Sequence, residues 1–299
     1  MRFGLIGTAY WARTVHGPAI LTHPSASLAG VWGRHPGKAA AAARELGVPR
    51  YESVEEMFND VDAVAIAVQP DAQPALAVSA AEHGCHLLLD KPLALNLQLA
   101  DHVVKAAENS GVRGVLFSTM QYTSNVADWQ KGLSRDGWIA SRVRLFRAMF
   151  VPGNPYQNSA WRQKKGALWD IGPHALSVVL PVLGTAESVV AQRGINDGVE
   201  VVIRHSSGAI TSLSLSLTVP EEAQGSECQL WGPTGSITMP RPGEPPLDAM
   251  GRCISALIGP SDHAVERTDL TLGRDIVAIL ATAESYLDEK PRNAIKIPC

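Results

Sequence analysis

The chain has 299 residues, 45% of them hydrophobic, with 26 Lys and Arg against 29 Asp and Glu for a formal net charge of −3. At roughly 150 residues per domain this is two domains or one large one, long enough to bury a core without covalent staples. The charge balance supplies no basic field for nucleic acid and no polybasic membrane patch, so neither partner is expected.

The first 120 residues alternate strand-like and helix-like segments. Arg2–Ile6 reads as a buried strand, and a turn containing Gly7 leads from it into a helix. The apolar run Ala26–Trp32 is a second strand, followed by Pro36, an alanine-rich helix and a stop at Gly47. Ser53 and Glu56 make a capping box for a short helix. Asp62–Val68 is apolar and β-branched, which suits a central parallel strand. A helix over Asp71–His83 stops at Gly84, His86–Leu89 is a strand, Asn96 caps a helix to Ser110, and Gly114–Ser118 closes the unit. Such spacing predicts an α/β fold with a parallel sheet between helices.

The second half has a different rhythm, so a domain boundary is placed near residue 120, giving domains of 1–120 and 121–299. A helix over Thr123–Arg135 precedes a strand in Ile139–Phe150, and a helix runs from Gly166 to Leu183. In Thr211–Leu217 the residues Leu213, Leu215 and Leu217 alternate with serines, the pattern of a sheet with one dry face, usually antiparallel. A last helix covers Gly273–Leu287, ahead of Pro291. No boundary linker is evident, so the halves should pack tightly.

Met1–Gly7 carries no charged leader before an apolar stretch, and no run approaches the roughly 18 apolar residues of a membrane span. Cys85, Cys228, Cys253 and Cys299 are scattered, without a CxxC pair. A disulfide framework and a metal site are therefore not expected, and a cytoplasmic location is.

Four places carry chemistry. Gly7-Thr8-Ala9-Tyr10-Trp11-Ala12 follows the first strand and opens the first helix. It reads G-x-A-x-x-A against the dinucleotide-binding G-x-G-x-x-G/A turn, in which bare backbone meets the pyrophosphate at a helix N-terminus. The bland alternative is a tight strand–helix turn without a nucleotide. The second strand ends Gly33-Arg34-His35 with no carboxylate, whereas an NAD site usually places one about 20 residues on for the ribose 2′-OH. Gly33 leaves room, Arg34 can pair with a 2′-phosphate, and His35 and Lys38 add donors, so NADP is expected over NAD. Asp90 and Lys91 stand at the carboxyl end of an apolar strand, where doubly wound sheets bind ligands, or else form a plain ion pair. Asp170 and His174 are spaced i,i+4, which places them on one face of a helix as an acid–base pair, or as a helix cap and a core histidine.

The order of these motifs resembles the glucose-fructose oxidoreductase / inositol dehydrogenase (Gfo/Idh/MocA) family of NAD(P)-dependent oxidoreductases, over essentially the whole chain. Ala67-Val68-Gln69-Pro70-Asp71 is similar to the family's cofactor-binding strand end, and Trp161-Arg162 to its W-R segment. The resemblance implies a Rossmann domain followed by an α/β domain whose open, mostly antiparallel sheet joins copies into a homodimer or homotetramer. It implies cofactor contacts from Gly7, Thr8, Ala9, Tyr10, Trp11, Gly33, Arg34, His35, Gln69, Pro70, Asp90, Lys91, Trp161 and Arg162. Lys91 matches the lysine of an E-K-P motif that acts in proton transfer; Asp170 and His174 match a D-x-x-x-H pair that binds substrate hydroxyls and assists acid–base catalysis. Three departures stand out: Asp90 for Glu, Ala9 for Gly, and Pro74 where His is frequent.

The expected activity is hydride transfer between nicotinamide and a secondary alcohol or carbonyl of a sugar, cyclitol or diol. Tyr122, Tyr156 and Trp161 are candidates to face the sugar ring, with Tyr122, Asp170 and His174 as substrate contacts. The rival readings are an NADP-binding sensor without activity and an NAD-dependent enzyme that cleaves glycosidic bonds.

Overall fold

In a computed structural model of the chain, residues 1–134, 136–259 and 270–288 are described. Arg135, Pro291 and Cys299 fall outside them.

Five apolar strands form the first sheet: β1 (Arg2–Ile6), β2 (Ser27–Trp32), β3 (Ala63–Ile66), β4 (His86–Asp90) and β5 (Gly114–Phe117). They pair in parallel in the order β2-β1-β3-β4-β5. The residues of β3 are all buried, because helices cover both faces of a parallel sheet. Those helices are α1 (Gly17–Thr22), α2 (Pro36–Leu46), α3 (Val54–Asp60), α4 (Gln73–Glu82) and α5 (Leu97–Asn109). Ser53 caps α3 through the Glu56 N–H, and Asn96 caps α5 through the Leu99 N–H, as their sequence positions predict, but the Glu56 carboxylate accepts from the Glu52 N–H rather than closing the box on Ser53. A π-helical turn, Ala12–His16, connects the Gly7 loop to α1.

After the short helices α6 (Thr119–Tyr122) and α7 (Ser124–Lys131), the chain builds a second sheet. Its strands are β6 (Ala140–Phe146), β7 (Ala186–Arg193), β8 (Val199–His205), β9 (Ile210–Ser216), β10 (Gly225–Gly232) and β11 (Gly235–Thr238). The order is β11-β10-β6-β9-β8-β7, antiparallel everywhere except between β6 and β9. Leu213, Leu215 and Leu217 all face the core, as their alternation with serines predicts. That face packs on α8 (Ala160–Asp170), α9 (Gly172–Leu183) and α11 (Leu270–Asp288). The opposite face is uncovered in the single chain and exposes Val190 and Val202, which are paired across β7 and β8.

Two differences from the sequence reading have physical causes. The helix expected from Gly166 to Leu183 is interrupted at Ile171, where α8 ends and α9 begins, and Gly166 at its start, at φ 65° and ψ −164°, is a kink inside α8 rather than the opening of a regular helix. Pro173 then opens α9 at a position where its missing N–H loses no bond. Ala160–Leu183 is also the one described helical stretch long and apolar enough to cross a membrane, and 83% of its apolar window is buried inside the fold. Second, the C-terminal part does not stay with the second sheet. Helix α10 (Pro246–Ile258) returns to the first, and its Ala249, Met250, Cys253, Ile254 and Leu257 join Phe3, Leu5, Leu88 and Phe117 in one core. The other core is shared by both halves, with Ile66, Leu89 and Leu116 packed among Val143, Leu176 and Leu280.

Gly7 fixes how β1 leaves the sheet. Its φ is 139°, and a Cβ there would stand 2.3 Å from the Ala67 carbonyl oxygen at the end of β3. Gly7→Ala is expected to cost at least the ~1–3 kcal/mol of a backbone held in a glycine-only region, read as a lowered midpoint in urea unfolding.

Candidate active site

A cleft of about 610 Å³ opens at the carboxyl ends of the first sheet and is closed on its far side by the second half of the chain. The first sheet contributes Ala9, Tyr10 and Trp11 from the β1 turn, Gln69 and Pro70 beyond β3, and Asp90 and Lys91 at the end of β4. Opposite them stand Arg147, just past β6, the Asn154–Ser159 loop, Trp161 and Arg162 of α8, and Asp170 and His174. β1 and β3 are the neighbours at which the strand order reverses, which is where open α/β sheets leave a crevice for ligands.

Lys91, Asp170 and His174 meet at one wall. The Lys91 ammonium donates to the Asp170 backbone carbonyl at 2.6 Å and to Asp170 Oδ1 at 3.0 Å. Arg162 Nε lies 3.1 Å from the same oxygen. Burial alone would raise the Asp170 carboxyl, but Lys91 and Arg162 outweigh it and hold the group below its ordinary range. His174 is pushed well below the usual imidazole value, first by burial and then by the Lys91 charge. Asp170 ends α8 and His174 lies in the first turn of α9, so the pair shares a wall across a helix junction rather than one face of a continuous helix. Asp170 does not cap α9; its carboxylate is given to the two cations.

The loop residues add an aromatic rim. The Arg162 guanidinium lies over the Tyr156 ring at 4.0 Å and the Trp161 ring at 4.7 Å, and Tyr156 meets Tyr10 edge-on at 6.1 Å. Burial raises the Tyr156 hydroxyl to about 12 against the pull of Arg162, so it stays protonated as a donor.

Other expected residues are placed elsewhere. Gly7 and Thr8 form the turn beneath the cleft, and the Thr8 methyl packs where a side chain at Gly33 would collide with it. Arg34 and His35 are exposed past the end of β2, and no described residue bonds to either side chain. Tyr122, expected to touch substrate, does not line the cleft. It is buried against Phe117 in the core that α10 completes, and its hydroxyl is turned toward Cys253. Strand β5 ends at Phe117 and α6 turns the chain inward there, which the local sequence does not reveal.

Residues that the sequence reading passed over shape the site. Gln73, 1% exposed, accepts from the Asp90 N–H and donates to the carbonyls of Asp90 and Pro92, clamping the turn that presents Lys91. The Lys91–Pro92 peptide within that turn is cis. Asp90 in turn accepts from the Lys91 N–H at 2.8 Å. His16, wholly buried in the π-helical turn, brings Nε2 to 3.4 Å from Asp90 Oδ2. A glutamine directly before Pro74 was the available signal for Gln73, but nothing local says that its amide faces a loop 17 residues away.

The comparisons with known proteins bear on the family and the fold. Residues 1–118 match the oxidoreductase family with an NAD-binding Rossmann fold, and residues 135–238 match the GFO/IDH/MocA C-terminal domain. The chain belongs to the GFO/IDH/MocA oxidoreductase family. Its first 118 residues are thus an NAD-binding Rossmann domain. It is 29% identical over 265 residues to dTDP-3,4-didehydro-2,6-dideoxy-alpha-D-glucose 3-reductase of Streptomyces antibioticus, covering 82% of this chain and 77% of the relative. It is 27% identical over 201 residues to an uncharacterized Saccharomyces cerevisiae protein, spanning 64% of this chain and only 58% of that one. The structure of UDP-N-acetylglucosamine 3-dehydrogenase from Acidithiobacillus ferrooxidans shares the fold with a TM-score of 0.78 at 19% identity, over 96% of this chain and 99% of that one.

The Gln73 clamp has a measurable consequence. Gln73→Leu removes a partner of the Asp90 N–H and of the Asp90, Pro92 and Leu93 carbonyls, so it is expected to destabilise the fold by about 1–3 kcal/mol in urea unfolding and to weaken ligand binding in the cleft.

Proposed function

We propose that the chain is an NAD(P)-dependent dehydrogenase or reductase acting on a secondary alcohol or carbonyl of a sugar, cyclitol or diol. The observation that carries this reading is the meeting of Lys91, Asp170 and His174 at one wall of the cleft that also receives the β1 turn. The residues fit a dinucleotide: Gly7 has no space for a Cβ, the turn opens a helical segment, and Ala9 and Tyr10 line the cleft beyond it. When bound, the oxidised nicotinamide supplies the acceptor for the hydride that leaves the alcohol carbon.

The chain's own residues divide the proton work. Lys91 as an ammonium has three N–H groups and spends two on Asp170, which leaves one for the substrate oxygen. Paired in this way, it is a donor that holds and polarises that oxygen. His174, kept neutral by burial and by Lys91, is the group able to take the hydroxyl proton as the C–H bond gives up its hydride. In the reverse direction the imidazolium returns the proton to the forming alcohol. Tyr156 and Trp161 offer ring faces and a phenol to a polyol, held in place by the Arg162 stack. Asp170 fixes Lys91 and Arg162 and presents an acceptor edge to a neighbouring hydroxyl.

The cofactor is NADP in preference to NAD. The strand-end position that would hold a ribose-binding carboxylate carries Gly33, and the exposed Arg34 beside it is uncommitted among the described residues.

Lys91→Ala and His174→Ala are each expected to lower kcat by the ~10²–10⁴-fold that a positioned acid or base supplies, with dinucleotide affinity within a few-fold of the native chain. The native kcat/KM should fall on the acid side only well below pH ~6.5, because protonating His174, ringed by Lys91, Arg147 and Arg162 against Asp170, removes the base. Near-native turnover in both variants would overturn these roles. Arg34→Ala should weaken NADP binding about tenfold, the ~1.4 kcal/mol of one charge contact, while leaving NAD nearly unchanged in a fluorescence titration. An equal effect on both dinucleotides would remove the NADP preference.

A further inference from the structure

The inner side of His174 carries a small hydrogen-bond chain whose direction can be worked out. Its Nδ1 is 3.1 Å from Ser118 Oγ, which is 2.9 Å from Ser177 Oγ, which is in turn 2.9 Å from the His174 backbone carbonyl. Ser118 and Ser177 are 2% and 1% exposed, so bulk solvent does not reach these bonds. Each hydroxyl owns one proton. A carbonyl oxygen only accepts, so Ser177 gives its proton to the His174 carbonyl. The bond between the two serines must then be donated by Ser118. With its proton spent there, Ser118 can only accept from the imidazole, and Nδ1 must carry hydrogen.

We infer that Ser118 and Ser177 are positioning residues that lock His174 as the Nδ1–H tautomer and leave the Nε2 lone pair for the substrate hydroxyl. This rests on the catalytic reading of His174 given above, and it adds which nitrogen works and what decides it. Two further observations support it. Ser118 occupies the N-cap of α6, yet it makes no capping bond, its side chain being directed to the imidazole instead. Among the described residues none hydrogen-bonds Nε2, while His174 forms part of the cleft wall. Ser118 reaches this place because it directly follows β5, and Ser177 because it lies one helical turn beyond His174 on α9.

The test uses the full chain carrying ¹⁵N- and ¹³C-labelled histidine, with the His174 signals identified by their absence from the His174→Gln spectrum. Near neutral pH the native imidazole should show a protonated Nδ1 and a bare Nε2. Ser177→Ala takes away the acceptor of the Ser118 proton, so Ser118 can donate to Nδ1 and the spectrum should move toward the Nε2–H form. Ser118→Ala should lower kcat between about tenfold and the ~10²–10⁴-fold of the whole base contribution, with KM and dinucleotide affinity little changed, and Ser118→Thr should restore most of it. An Nε2–H imidazole in the native chain, or a tautomer indifferent to Ser177→Ala, would overturn the inference. So would native kcat in Ser118→Ala. Because the spectra need no cofactor, failure to bind either dinucleotide would instead overturn the dehydrogenase reading and leave the tautomer result standing.

Discussion

The contact between Lys91 and Asp170 joins the two halves of the molecule at the point where chemistry is proposed. Lys91 comes from the end of a strand in the first sheet and Asp170 from the helix junction under the second. Asp170 is buried, and an isolated charge there would be expelled or neutralised. It persists as a carboxylate because Lys91 and Arg162 both reach it, so the relative placement of the two sheets is tied to the ionic balance of the cleft. Such a pair adds little net stability once desolvation is counted, but removing one partner leaves the other charge stranded. The arrangement therefore specifies geometry more than it strengthens the fold.

That electrostatic balance also separates the roles of the two nitrogen groups. Burial and the neighbouring Lys91 charge both disfavour a positive imidazole, so His174 remains neutral beside the cation. Neither property belongs to the residue in isolation. Gln73 reinforces the division by fixing Asp90 and the turn that presents Lys91, and it does so from a buried position with little freedom to move.

The remaining architecture serves to bring the Gly7 turn and an aromatic rim to opposite sides of one opening. Gly7 permits the sharp exit from β1, and the π-helical turn after it buries His16 against Phe117. The rim comes from a loop and the first turn of α8, where the Arg162 guanidinium holds Tyr156 and Trp161 by stacking over both rings. Helix α10 packs on the first sheet from residues 246–258, so the core of the nucleotide-binding unit includes a segment that follows the second sheet in the chain.

The periodicities of the strands and helices, the caps at Ser53 and Asn96, the turn at Gly7 and the dry face of Leu213–Leu217 are local properties, and the sequence alone determines them because neighbouring residues settle them. The same holds for the motifs around Asp90 and Asp170 as candidates. Only tertiary structure decided that Tyr122 is core, that the helix through Asp170 breaks at Ile171, that α10 crosses back, and that Gln73, His16, Ser118 and Ser177 support the site. Each of those facts depends on which distant group lies within about 3 Å of a side chain, and hydrogen bonding and burial at that range are set by packing between segments 17 to 140 or more residues apart, about which the local pattern of residues carries no signal.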